Sequence, residues 1–149
     1  MDAIFDDEYF MTKALQEAEA AFEKGEIPVG AVIVVDNRII ARAHNLTELL
    51  NDVTAHAEMQ AITAAAHFLG GKYLTKCTLY VTLEPCQMCA GALYWSQISN
   101  IVYGAKDDHR GCGVMGTKLH PKTILRGGVL ATEASELLKR FFVEKRNLN

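Results

Sequence analysis

No stretch of the 149-residue chain is long and apolar enough to span a bilayer, and the acidic N-terminus lacks the basic and hydrophobic regions of a signal peptide. These absences predict a cytoplasmic protein with no membrane contact. The four cysteines form no dense, regular pattern, which excludes a disulfide framework and fits a reducing compartment. Strong charge is missing as well. A formal net charge of −3 excludes nucleic-acid binding spread over the whole surface, so any RNA site has to be local. Two basic clusters offer one: Lys118, His120, Lys122 and Arg126 in a late loop, and Lys139, Arg140, Lys145 and Arg146 near the C-terminus. Either cluster alone reads first as a solvated face. There are no internal repeats, no low-complexity segments and no glycine-rich phosphate cradle. What is present is a chain half hydrophobic and 22% charged, enough for one compact core, and a single domain over 1–149 is expected.

Against this background two short segments stand out, His56-Ala57-Glu58 and Pro85-Cys86-Gln87-Met88-Cys89. A C-x-x-C by itself could also be a thioredoxin-like redox pair, but an upstream His-x-Glu turns the reading toward metal. One imidazole and two thiolates are three ligands suited to Zn²⁺, and a tetrahedral ion so held keeps one position open for water. An open position means chemistry rather than scaffolding, and Glu58 is the carboxylate placed to move protons there. Pro85 fits the first turn of a helix, which would put Cys86 and Cys89 on one face near the positive end of the helix dipole. His56 and Glu58 would lie on nearly opposite sides of a regular helix, so an irregular first turn is expected. A structural, four-ligand zinc would need a further residue. Cys77, Cys112, His44, His67, His109 and His120 supply none at a metal-ligand spacing, and Cys77 and His67 read as a core residue and a helix-end residue.

The remaining pattern predicts the scaffold. Phe10, Ala14, Ala18, Ala21 and Phe22 recur at helical spacing between Asp7 and Lys24, with Gly25 as a stop. Ala31–Val35 and Arg38–Ala41 flank Asp36-Asn37 and read as a hairpin with a buried first strand. Thr54 reads as the cap of a helix ended by Gly70-Gly71. Thr78–Thr82, a helix from Pro85 to about Trp95, and Asn100–Tyr103 make a βαβ unit with parallel pairing. From Gly104 to Gly128 little regular pattern appears, and so long a connection reads as substrate-facing. A last helix from about Thr132 carries an apolar stripe of Leu137, Leu138, Phe141 and Phe142.

The pairing of H-x-E with P-C-x-x-C is the pattern of zinc nucleobase deaminases. The chain resembles the cytidine deaminase superfamily and, within it, the bacterial tRNA-specific adenosine deaminases. The likeness runs through Glu26–Val32, Asn45, Thr54–Glu58, Leu79–Ala92, Val102–Asp107 and Phe141–Arg146. It implies a three-layer α/β/α cytidine deaminase-like fold with a five-stranded mixed sheet, a homodimer, and conversion of the wobble adenosine of a tRNA anticodon stem-loop to inosine. By the same resemblance His56, Cys86 and Cys89 are the zinc ligands and Glu58 the general acid/base. Asn45 would bind the purine edge, Asp107 would lie near the ribose of the flipped nucleotide, and Phe142, Lys145 and Arg146 would approach the anticodon loop. Phe141 and Phe142 fit a core stripe equally well. No organic cofactor is implied.

A second reading stays open at this stage. Gly91–Trp95 is similar to the segment that follows the cysteines in guanine deaminases of the same superfamily, which would make a free base or nucleoside the substrate. Those enzymes carry a Gly-x-Pro-Phe-Gly-like first strand and lack the basic Phe-Phe-x-x-Lys-Arg ending, so the sequence favours RNA. A zinc-bearing RNA-binding module without activity is the third reading, and the presence of Glu58 argues against it.

Overall fold

A computed structural model describes residues 5–148. In chain order the elements are α1 (Asp7–Glu23), β1 (Gly30–Val35), β2 (Arg38–His44), α2 (Ala57–Leu69), β3 (Thr78–Leu83), α3 (Gln87–Ser96), β4 (Asn100–Ala105), α4 (Cys112–Met115), β5 (Ile124–Arg126) and α5 (Ala131–Asn147). The strands form one mixed sheet in the order β2-β1-β3-β4-β5. β1 runs antiparallel to β2 and β3, whereas β3, β4 and β5 are parallel.

Alternation along the strands divides the core between the two faces. Ala31, Ile33, Leu79, Val81 and Ile101 pack on one side with Ala57, Ala61 and Ala65 of α2 and Leu93 of α3. Val32, Val34, Tyr80 and Val102 pack on the other with Phe10, Met11 and Ala14 of α1. α5 lies on this second side, against β4 and α1. The expected three-layer α/β/α architecture with five strands is what the chain adopts. At Gly30 a Cβ would come within 2.0 Å of the Ala14 carbonyl oxygen, so α1 seats on β1 at a distance only glycine permits.

Local chemistry explains the boundaries. Asp6 accepts the Tyr9 N–H at 2.9 Å and caps α1. Asp36 and Asn37 both have positive φ, as the two-residue turn of a hairpin requires. Gly70, at φ +70°, ends α2.

Two expectations need correction. Thr54 does not cap α2; its hydroxyl and N–H bind Asp52 at 2.8 Å, and His56 itself is the N-cap. Pro85 is not the first helical residue of α3, because Cys86 holds the extended N-cap conformation and the helix starts at Gln87. The weakly patterned segment from Gly104 to Gly128 contains α4 and β5, neither of which the sequence located, and β5 pairs with β4 in parallel from Asn100↔Ile124 to Val102↔Arg126. β5 has only three residues, all exposed, so it carries no alternation a sequence reading could detect.

Candidate active site

The parallel strands β3 and β4 end side by side, and the chain leaves β3 directly into α3. This is where parallel sheets place their ligands. α2 begins at the same point, so the positive ends of two helices converge on it and favour anionic groups there.

His56 and Cys86 are the two N-cap residues, and each has extended backbone. That conformation resolves the spacing problem posed by His-x-Glu. A cap residue has not entered the helical rotation, so its side chain can lie beside that of Glu58, the second residue of α2. Cys89 falls in the first turn of α3. Nδ1 of His56 lies 3.7 Å from Sγ of Cys86 and 3.5 Å from Sγ of Cys89, and the three ligand atoms all lie within 4.8 Å of one another. Tetrahedral zinc with ordinary Zn–S and Zn–N bonds separates a sulfur from a nitrogen ligand by about 3.6 Å. The cluster therefore fits a tetrahedral ion. Among the described residues no fourth His, Cys, Asp or Glu joins it, which leaves one coordination position unclaimed by protein.

The electrostatics follow from the packing. Glu58 is only 4% exposed, and burial pushes its carboxyl up to about 7, against the pull of the His56 imidazole. A hydrogen bond from the Cys89 thiol, joined by one from His56, lowers the Cys86 thiol to about 4. Cys89 moves the opposite way, because it shares a proton with Cys86 and is buried. The Cys86 hydrogen bond raises His56.

Above the cluster opens a cavity of about 470 Å³. Its lining includes the apolar Ile27, Val29 and Leu83 together with Asn45, Thr47, His56 and Glu58. Lys106, Asp107, Asp108, His109 and Arg110 of the turn after β4 line it as well, as do Leu138 and Phe142 of α5. The sequence-predicted residues thus divide into two groups. Asn45, His56, Glu58, Cys86, Asp107 and Phe142 line the cavity, and Cys89 lies buried beneath it. Lys145 and Arg146 do not line it; they are exposed one turn further along α5. The stripe on α5 is split, with Leu137 and Phe141 buried while Leu138 and Phe142 turn to the cavity.

Asn45 and Asp107 also hold their own loops. Asn45 Oδ1 accepts the Thr47 N–H at 3.3 Å and its Nδ2 donates to the Ile27 carbonyl at 3.4 Å. Both bonds are long and can yield to a ligand. Asp107 Oδ1 accepts the N–H groups of His109 and Arg110 at 3.0 Å.

Two buried carboxylates escaped the sequence reading. Glu26 accepts the N–H groups of Glu48 and Leu49 at 3.0 and 2.7 Å, fixing the loop that carries Thr47. Glu84 does the same for the turn that carries Asp107. The only cue in the sequence for Glu84 is Gly111-Cys112-Gly113, a run of small residues that permits close approach.

A mixed sheet with helices on both faces and a His-Cys-Cys cluster at its strand ends defines a class of zinc-binding deaminase. Accordingly, the family model of the cytidine and deoxycytidylate deaminase zinc-binding region matches residues 5–105, and the chain belongs to that family. It is 49% identical over 145 residues to the tRNA-specific adenosine deaminase of Aquifex aeolicus (strain VF5), covering 94% of this chain and 96% of that one. Within the family it belongs with the tRNA-specific adenosine deaminases. A solved structure from work on A-to-I editing by tRNA:A34 deaminases at the wobble position of transfer RNA superposes with a TM-score of 0.82 at 42% identity, covering 87% of this chain and 98% of that one. The guanine deaminase of Bacillus subtilis superposes with a TM-score of 0.65 at 43% identity, over 68% of this chain and 65% of that one.

Proposed function

We infer that this protein hydrolyses the amino group of the wobble adenosine in a tRNA anticodon loop, giving inosine and ammonia, with one zinc ion held by His56, Cys86 and Cys89. The observation that carries the reading is a three-ligand cluster with one position left over, beside the buried Glu58 carboxyl. Bound zinc supplies Lewis acidity that lets water ionise near neutral pH. Glu58, buried beside the cluster, takes a proton from the attacking water, delivers it to the purine ring nitrogen, and moves a second proton to the departing amine. Asn45 exchanges its long loop bonds for the purine edge, and Asp107 faces the ribose. Phe142 in the lining and Lys145 and Arg146 beyond it meet the anticodon loop. A stacked base cannot enter a cavity of this shape, so the nucleotide must be extruded from a loop.

The protein acts as a single domain and as a homodimer. Trp95 is 77% exposed on α3 beside the exposed Tyr94, and Val114 and Met115 are exposed on α4, which packs against α3, an apolar surface suited to a second copy. No helix of the described residues is long and apolar enough to cross a membrane, in keeping with a cytoplasmic enzyme. The test is ammonia release from an adenosine-containing anticodon stem-loop compared with free guanine, cytosine and adenosine. The stem-loop should be the preferred substrate. Efficient turnover of guanine with none of the stem-loop would overturn the reading in favour of a free-purine enzyme.

A further inference from the structure

We propose that Glu84 is a positioning residue: its buried carboxylate fixes the 107–113 turn against the metal-ligand loop and so sets the cavity wall that meets RNA. The residue is 3% exposed and stands two positions before Cys86. One carboxylate oxygen accepts the Asp107 N–H at 3.0 Å. The other accepts the Gly113 N–H at 2.9 Å and the Cys112 thiol at 3.7 Å. A carboxylate at this depth is costly unless it is solvated by donors, and here all three come from one turn.

The turn is built around that group. A Cβ on residue 111 would approach Glu84 Oε1 to 2.4 Å, and one on residue 113 would approach Oε2 to 2.9 Å. Glycine at both positions is what lets the backbone close over the carboxylate. Main-chain contacts fix the register: the Cys112 N–H donates to the Pro85 carbonyl at 2.8 Å, and Cys86 and Gly111 form an antiparallel bridge. The contacts of Glu84 run to the turn, whereas Glu58 stands against His56 and the cysteines. The two buried acids divide the work. Glu58 serves the reacting atoms, and Glu84 holds the turn that carries Asp107 through the Asp107 and Gly113 N–H groups.

Glu84→Gln tests this, since its amide nitrogen must face a backbone N–H. Zinc content should stay at one per chain. Exchange of the Asp107 and Gly113 amide hydrogens should accelerate about tenfold or more, the scale of one buried hydrogen bond left unmade. KM for the anticodon stem-loop should rise about tenfold while kcat stays within about threefold. Gly113→Ala crowds the same carboxylate from the turn's side, its Cβ meeting Oε2 at 2.9 Å, and should reproduce the KM rise; if Glu84→Gln does not fold, it decides on the same measurements. The KM arm rests on the RNA reading above, but amide exchange does not. A wild-type protein inert on RNA sinks that reading, and faster exchange would still uphold the positioning role. Unchanged protection at Asp107 and Gly113, loss of zinc, or a fall in kcat at constant KM overturns the proposal.

Discussion

Glu58 lies beside the two cysteines yet answers to different physics, and substitution separates them. The proposed ligand role of Cys86 and Cys89 rests on a soft thiolate sulfur at a helix N-terminus. Replacing either by Ser keeps the shape and removes the sulfur, so zinc measured by elemental analysis should fall well below one per chain in Cys86→Ser and in Cys89→Ser. The proton-carrying role proposed for Glu58 rests on its burial beside the cluster. Glu58→Gln keeps size and metal but cannot carry a proton, so zinc should remain while turnover falls by at least ~10²-fold. Undiminished zinc in the serine variants, or near-normal turnover in Glu58→Gln, would falsify these roles.

Elements convert those residues into a site, and here the sequence was only partly legible. The hairpin, the βαβ unit and the cysteine spacing were readable because each is local: a turn pair, a strand-helix-strand alternation, a fixed offset. β5 was not, since Ile124–Arg126 is strand only by virtue of its pairing with β4. Nor were Glu26 and Glu84, whose partners are backbone groups more than twenty residues away that carry no side-chain signature. Asp7 belongs to the same kind. At the start of α1 it accepts hydrogen bonds from Arg126 of β5 and, at 2.8 Å, from the Tyr80 hydroxyl of β3. Burial opposes its ionisation, but these bonds outweigh burial and hold the carboxyl below its usual range. A depressed folded value means the stabilisation is complete above the unfolded pKa of about 3.9 and is lost as pH falls through the lower folded one. Asp7→Asn should cost about 1 kcal/mol in urea unfolding at pH 7 and far less in strong acid; an equal cost at both pH values would refute the account. This pair also removes Arg126 from the late basic cluster as a free charge. The last helix keeps its charges outward: replacing both Lys145 and Arg146 by Ala should weaken stem-loop binding and flatten its salt dependence by about one unit of slope per lost phosphate contact, with zinc unaffected. Binding with an unaltered salt slope would remove α5 from the RNA interface.

At the scale of the whole molecule, the exposed Trp95 face predicts assembly. Light scattering at micromolar concentration should give a dimer for the wild-type protein and a monomer for Trp95→Glu; a monomeric wild type rejects the arrangement. The His56–Cys86 contact spans 30 residues and the His56–Cys89 contact 33, and no disulfide joins any of the four cysteines. An ion gripping both ends therefore acts as a cross-link, tying the start of α2 to the start of α3 and enclosing β3 in the loop. By the chain-entropy relation used for disulfides, closing a loop of that length is worth about 3.6 kcal/mol. That is a large share of the stability of a domain this size. Chelation should then lower the melting temperature of this protein by many degrees, and much more than Glu58→Gln does, because it reopens a loop as well as disarming a catalyst. A redox compartment that forbids disulfides would leave such a staple intact.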